Sequence, residues 1–392
     1  MKNFTYYTPS KIVFGKDTEE QVGQLVKDSG ATKVLLHYGG ESAKRSGLLD
    51  RVKDSLSAAG IEFLELGGVV PNPRMSLAYQ GIELCKKEGV DFILPVGGGS
   101  VIDSAKCIAY GAVYDGDVWD FYSRKATAVD ALPVGTILTL AATGSEMSDS
   151  SVMTLEEGWL KRGYNNDLSR PLFSILNPEL TYTLPEYQTA CGVVDIMMHT
   201  MERYFNHTSD SQLTDAISEA LLRTVLDFGP VVMADPKNYN ARAQIMWAGC
   251  LSHNGLTGAG VDTDWSTHQL EHELGGLFDV AHGAGLSAVW GSWARYVYTE
   301  DPRRFAQFAV NVMGVSNDFR NEEATALAGI SKLEEFFQSI NMPISISDLG
   351  IELSDAEIDE LAYKCCFMGK RTIGGFKKLD QDDMAEIFRM AR

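Results

Sequence analysis

A chain of 392 residues exceeds one ordinary core and predicts two domains. With 45% hydrophobic and 22% charged residues, its composition is that of a folded globular protein and excludes a disordered chain. The 53 acidic residues against 34 Lys and Arg leave a formal charge of -19, which argues against nucleic acid or anionic lipid as a partner.

The first residues, MKNFTYYTPSKIVFG, alternate like a strand and lack the basic head, apolar stretch and cleavage site of a secretion signal. No apolar run approaches the roughly 20 residues of a membrane helix, so no membrane partner and a cytoplasmic location are expected. Cys85, Cys107, Cys191, Cys250, Cys365 and Cys366 show no CxxC spacing and are expected as reduced, mostly buried thiols.

Short apolar runs then alternate with helical patterns. KVLLHY is followed by a helix through GLLDRVKDSLSAAG, IEFLEL by a helix through LAYQGIELCKKEG, and DFILPV by a glycine turn. This βαβαβ punctuation implies a mostly parallel sheet with helices on its faces. LPVGTILTL, the loop AATGSEMSDSS and the apolar LFSILNP extend the α/β pattern to about residue 183.

Two turns in this half are candidates for a dinucleotide. DFILPV runs into Gly97, Gly98, Gly99 and Ser100 and then into a helix, whose unpaired N–H groups and macrodipole suit a pyrophosphate. The spacing is not GxGxxG, and a plain structural turn is the competing reading; its place at the carboxyl end of a strand favours a ligand. Asp103 either orders this turn or accepts a hydroxyl hydrogen bond. After KVLLHY come Gly39, Gly40, Glu41, Ser42, Ala43, Lys44 and Arg45. Small residues with Ser42 and Lys44 nearby favour the 2′-phosphate of NADP(H) over the free diol of NAD(H), while Glu41 would repel that phosphate if it turned inward.

From Pro185 the periodicity becomes helical, as in DAISEALLRTVLDFG, RAQIMWAGCLSHNG, DAEIDELAYKCCFM and DQDDMAEIFRMAR. The fold class is therefore α/β plus all-α: a parallel-sheet dinucleotide-binding domain over residues 1–183 and a helical metal and substrate domain over 184–392. No linker separates the halves, so close packing around a cleft is expected.

Six of the seven histidines fall between His199 and His282. Asp195 and His199 are four apart, which places both on one helical face; His268 and His272 repeat the spacing in DWSTHQLEHEL, and His282 follows at a glycine-rich bend. Any one of these histidines alone reads as an ordinary core or surface residue. Together, one carboxylate with imidazoles suits a single divalent metal, Fe²⁺ or Zn²⁺, rather than Mg²⁺ or Ca²⁺. His37, His207 and His253 read as structural.

GGGS, TGSE and the Asp195, His199, His268 and His282 set together resemble the iron-containing, or group III, alcohol dehydrogenases, over the whole chain. Within that family HYGGESAKRSG, LPVGGGSVIDSAK, TLAATGSEMS, GVVDIMMHTMERYF and DWSTHQLEHELGGLFDVAHGAGL look most like the NADPH-dependent butanol dehydrogenase branch. The resemblance implies that Asp195, His199, His268 and His282 bind the metal and that His272 lies beside it as a proton relay. It further implies cofactor contacts from Gly97 to Ser100, with Asp103, Thr139, Leu140, Thr143, Lys161 and Tyr182 along the groove and Asn72 at the nicotinamide end. Relatives in this branch often carry a third glycine where Glu41 stands, a departure that bears on phosphate selectivity.

The implied reaction interconverts small aldehydes and primary alcohols with NADP(H), the metal polarising the carbonyl. A dehydroquinate-synthase-like lyase or synthase and a noncatalytic sensor of NADPH and metal are the rival classes. The former would need more Lys and Arg near the metal motifs than this chain has. Trp265, Phe278, Trp290 and Trp293 suggest an apolar substrate lining. Kinship implies a homodimer, with N-terminal strands such as FTYYTP pairing across the interface.

Overall fold

The computed structural model describes residues 1–40 and 42–392; Glu41, whose charge the sequence sets against a bound phosphate, lies outside the described residues, as does the side chain of Ser42. Residues Tyr7–Leu184 form one compact unit, and Met1–Tyr6 together with Pro185–Arg392 form the other.

The first unit contains strands β1 (Lys11–Phe14), β2 (Lys33–Tyr38), β3 (Glu62–Leu66), β4 (Phe92–Gly97), β5 (Gly135–Leu138), β6 (Ser150–Leu155), β7 (Leu160–Asn165) and β8 (Phe173–Leu176). Its helices are α1 (Val22–Asp28), α2 (Ser42–Arg45), α3 (Leu48–Ala58), α4 (Met75–Glu88), α5 (Gly99–Val113) and α6 (Trp119–Tyr122). Six strands form one sheet in the order β1-β8-β5-β4-β2-β3, and every pairing in it is parallel. The interior strands are buried on both faces, which is why KVLLHY and FILPV read as continuous apolar runs rather than alternations.

Alternation instead decides which helix each residue meets. Val34, Leu36, Phe92, Leu94 and Val96 pack with Leu25, Val26, Val52 and Leu56 of α1 and α3. Leu35 and Ile93 point the other way, into a cluster with Ala78 and Ile82 of α4 and Ala105 and Ile108 of α5. The chain therefore leaves β2 toward one face and β4 toward the other. These strands are neighbours, so their carboxyl ends flank the point where the winding reverses, and such a crevice binds ligands in open α/β sheets.

Two local features differ from the sequence reading. Residues before Lys11 form no strand; the Lys2 backbone N–H donates to the Gly260 carbonyl at 2.9 Å, so this segment satisfies its backbone on the helical unit instead of a sheet edge. The hairpin of β6 and β7 was not anticipated. Its turn places Gly158 and Trp159 at φ 82° and 51°, a left-handed pair suited to a tight hairpin, but one without the usual Asn-Gly signature.

The helical unit comprises α7 (Glu186–Tyr204), α8 (Gln212–Ala234), α9 (Tyr239–His253), α10 (Ser266–Phe278), α11 (His282–Val297), α12 (Pro302–Asn311), α13 (Glu322–Ser339), α14 (Asp355–Cys365) and α15 (Gln381–Ala391). Helix α7 is its axis: it packs on α8, α9, α10 and α11 and is buried without interruption from Thr189 to Tyr204. A helix covered on all sides normally carries apolar residues all round. This one also buries Asp195, His199, Glu202 and Arg203, each of which needs a partner to offset lost hydration. Among the described residues no helix is long and apolar enough to cross a membrane.

Candidate metal centre and cofactor cradle

Asp195 lies in the middle of α7, His268 one turn into α10 and His282 at the first position of α11, so three helices deliver one donor each. Their ligating atoms lie within 4.8 Å of one another. Asp195 Oδ1 stands 3.7 Å from His268 Nε2 and 3.6 Å from His282 Nε2. Donors bound at about 2.1 Å to one tetrahedral ion sit roughly 3.4 Å apart, so the spacing fits a cation the size of Zn²⁺ or Fe²⁺. The fit has a second sign. Asp195 Oδ1 and His268 Nε2 are buried with no hydrogen-bond partner, a costly state for polar atoms unless something else binds them.

His199 joins this cluster through Asp195 but is not among the three whose donors converge. Its Nδ1 is 3.0 Å from Asp195 Oδ1 and equally 3.0 Å from the Asp195 carbonyl, and its ring centroid is 4.5 Å from that of His268. His272 is half-buried beside the group, its ring 5.9 Å from that of His282. His253, read from sequence as structural, lies against His199 at 4.1 Å between ring centroids. It arrives from α9, and no local pattern announced it.

Close backbone approach sets this geometry. A Cβ on Gly283 would meet the Cys191 carbonyl oxygen at 2.1 Å, so only glycine lets the start of α11 lie on α7 one turn before Asp195. The predicted bend at His282 is thus a helix start.

Two carboxylates that the sequence reading missed complete the centre. Glu202 Oε1 accepts from the His268 backbone N–H at 2.8 Å and lies 3.0 Å from the His268 Nδ1. Glu271 Oε2 bonds the Nδ1 of His282. A signal existed for both: Glu202 follows His199 by three residues and Glu271 follows His268 by three, each on the helical face of a candidate ligand.

The electrostatics call for positive charge. Burial pushes the Asp195 carboxyl up, but the neighbouring imidazoles outweigh it and hold the group well below the usual carboxylate range. Burial works against a proton on His268, yet the neighbouring carboxylates of Asp195 and Glu202 raise it to about 9. His199, where burial dominates, is lowered to about 4.

The aromatic expectations divide. Trp265 is half-buried and edges onto His268 and His199 with ring centroids 5.3 and 6.1 Å away, and Phe278 is half-buried too. Trp290 and Trp293 are core residues: both are 1% exposed and pack on Phe205, inside the helical unit. Their size draws them into the interior, where they cover area that smaller side chains would leave open.

In the α/β unit, Gly97 ends β4, Gly98 is the N-cap of α5, and Gly99 and Ser100 form its first turn. The glycines are required by proximity to the loop after β5. A Cβ on Gly98 would lie 3.1 Å from the Leu140 Cβ, and one on Gly99 would lie 2.3 Å from the Thr143 Oγ1. Thr139 donates its N–H to the Gly97 carbonyl at 3.0 Å. Gly97 to Ser100, Thr139, Leu140 and Thr143 are therefore brought together. Asp103 orders a neighbouring loop rather than the glycine turn itself: Oδ1 accepts from Ser145 Oγ at 2.6 Å and Oδ2 from the Val152 N–H at 2.9 Å, tying the TGSE loop and β6 to α5. Lys106, fully buried, adds bonds of 2.8 Å to the carbonyls of Ser145, Ser148 and Ser150; burial lowers it to about 8.

Gly39 and Gly40 follow β2 at the switch point, and Lys44 is exposed, its ammonium 5.4 Å from the Tyr38 ring centroid. Asn72, buried at φ 51°, belongs to a loop that pairs with β6 through Arg74 and Thr154, and Thr154 pairs in register with Lys161. Asn72 and Lys161 thus share one corner. Tyr182 follows the short turn after β8, at the same carboxyl edge of the sheet.

Residues 9–178 match the iron-containing alcohol dehydrogenase family, and residues 189–392 match the C-terminal part of the Fe-containing alcohol dehydrogenase family. The chain belongs to the iron-containing alcohol dehydrogenases. It is 43% identical over 99% of both chains to a probable NADH-dependent butanol dehydrogenase of Bacillus subtilis, and 34% identical over the full length of both to an NADPH-dependent aldehyde reductase of Escherichia coli. Its fold is similar to the crystal structure of an NADH-dependent butanol dehydrogenase from Thermotoga maritima, with a TM-score of 0.96, 37% identity and coverage of 100% of this chain and 99% of that one. The expected parallel-sheet domain followed by a helical domain agrees with that neighbour and with the family.

Proposed function

We propose that this iron-type alcohol dehydrogenase interconverts small aldehydes and primary alcohols such as butanal and butanol by hydride exchange with a nicotinamide dinucleotide. One divalent cation, Fe²⁺ or Zn²⁺, is held by Asp195, His268 and His282, with His199 as fourth ligand. The observation that carries this reading is the pair of buried, unpartnered atoms, Asp195 Oδ1 and His268 Nε2, facing each other among donors of the right chemistry.

When bound, the cation supplies a Lewis acid for the substrate oxygen, and the nicotinamide supplies the hydride. The chain's own residues do the rest. The amides of Gly98 to Ser100 hold the pyrophosphate at the start of α5, and Asp103 keeps the adjoining loop, with Thr139, Leu140 and Thr143, in place for it. Asn72, Lys161 and Tyr182 extend this groove. His272 exchanges the proton of the substrate oxygen with solvent, a role its half-buried place beside His282 supports.

Gly39, Gly40, Ser42 and Lys44 take the adenosine end, and their chemistry favours NADP(H). Relatives bearing both NADH-dependent and NADPH-dependent names make this the finest point of the proposal, and kcat/KM measured with each cofactor decides it. Two units that divide as 1–183 and 184–392 in function, a homodimer and a cytoplasmic setting belong to the same reading; light scattering checks the dimer.

Nicotinamide absorbance is followed with butanal in metal-loaded and chelated protein. Stoichiometric oxidation of the reduced cofactor that stops on chelation is expected. Activity surviving complete metal removal would sink the Lewis-acid role, and turnover that returns the cofactor unchanged would point to a dehydroquinate-synthase-like reaction.

A further inference from the structure

The two ring nitrogens of a histidine are not equivalent once one of them is anchored, and here both anchors are buried acids. Glu202 is 3% and Glu271 is 0% exposed. One oxygen of Glu202 engages both the backbone N–H and the Nδ1 of His268, so it fixes the main chain and the ring together. Glu271 leaves α10 one turn after His268 and reaches across to the Nδ1 of His282 on α11. The fold makes room for it: a Cβ on Gly285 would stand 2.8 Å from the Glu271 Cγ. In each case the carboxylate accepts a hydrogen bond from the Nδ1–H, which leaves the Nε2 lone pair directed at Asp195.

We propose that Glu202 and Glu271 are positioning residues that select the Nδ1–H tautomer of His268 and His282 and preset both rings for the cation. The inference rests on the metal-cage reading above and deepens it. Two acids serving only to staple helices would do so whether or not the Nε2 atoms converged. Here each acid lies opposite a nitrogen that faces Asp195, and the His268 Nε2 has no other partner.

The test uses full-length protein loaded with Co²⁺, and reads the visible spectrum of the bound ion and its rate of release to a chelator. Glu271→Leu and Glu202→Leu keep side-chain bulk but offer no acceptor; Glu271→Gln and Glu202→Gln keep an acceptor oxygen without the charge. Release roughly 10- to 100-fold faster in the Leu variants, with an altered spectrum, is expected. The Gln variants should restore most of the retention and the wild-type spectrum.

Leu variants that keep both wild-type spectrum and release rate would overturn the proposal, even if their thermal stability fell, because a staple alone moves only stability. Gln variants as leaky as Leu would overturn the tautomer argument in favour of charge alone. Should a Leu variant not fold, the Gln spectrum still decides, since shifted bands there also count against it. Wild-type protein that takes up no Co²⁺ would instead remove the cage itself, which separates the two failures.

Discussion

Removing the His268 imidazole takes away the ring that stands between Asp195 and Glu202. His268→Ala should therefore lower metal content per chain to near zero after dialysis, as read by elemental analysis. His272→Ala should leave metal content unchanged and cut turnover by roughly 100-fold, within the usual range for losing a positioned acid or base. An unchanged pH profile of turnover in that variant would end its relay role. His37 gives a prediction of a different kind. It is buried between the Leu66 carbonyl and Ser104 Oγ, and burial, opposed only weakly by its backbone bond, lowers it to about 4. Above pH 6.5 it is neutral in both states and contributes no pH dependence. As pH falls below 6.5 the unfolded chain takes a proton that the folded chain refuses until about 4, so stability declines through that window, by roughly 2 kcal/mol at pH 5. Urea unfolding at pH 7 and pH 5 should show a smaller decline in His37→Asn; an equal decline would refute it. At this scale Asp195, His268 and His282 were legible as candidates, from four-residue spacing on two helices and a glycine-rich bend, but their convergence without His199 was not, because it depends on how three helices pack. Glu202 and Glu271 carried a usable three-residue spacing but looked like ordinary helix acids. His253 was invisible because its neighbour His199 lies on another helix, and only packing brings the rings together.

Elements were legible where burial imposed a pattern. The strands KVLLHY, IEFLEL and FILPV and the helices α3, α4, α9 and α14 follow from apolar runs and periodicity. Helix α8 outran its pattern: it continues through Gly229 and Pro230 to Ala234, where a Pro would ordinarily end it. Tertiary packing explains this, since Gly229 lies close to Val193 of α7 and Phe336 of α13. The hairpin of β6 and β7 was missed because its turn uses Gly158 and Trp159, a pair with no strong turn signature. The glycines at element starts invite direct tests. Gly283→Ala puts a methyl group 2.1 Å from a backbone carbonyl that cannot swing aside, so α11 must shift off α7. A stability loss of about 1–3 kcal/mol, as for overpacked cores, and weaker metal retention through His282 are expected, measured by denaturant unfolding and chelator competition. Gly99→Ala meets Thr143 instead, on the loop that borders the pyrophosphate cradle. Its expected effect is a raised Kd for the dinucleotide by fluorescence titration, with metal content untouched; unchanged affinity would exclude a cofactor from that turn.

For the molecule as a whole, a ligand that binds only the folded chain raises its stability by mass action, about 4 kcal/mol at a thousandfold excess over Kd. The cage draws on α7, α10 and α11, so chelation should lower the thermal midpoint by several degrees, and Zn²⁺ or Fe²⁺ should restore it in a calorimetric scan. A midpoint indifferent to metal would contradict the cage. The division into units was only partly visible in the sequence. The change from strand to helix periodicity near Pro185 is plain, but nothing in MKNFTY indicates that these residues belong with the helices beyond it. Their allegiance has a consequence for biosynthesis. The α/β unit is one unbroken stretch and can fold as soon as it clears the ribosome, whereas the six residues translated before it must wait, docked to nothing, until Gly260 and the rest of the helical unit have been made. Residues Met1–Tyr6 are thereby among the last to settle, and protease cleavage near Tyr7 should persist on stalled translation products that already protect the sheet.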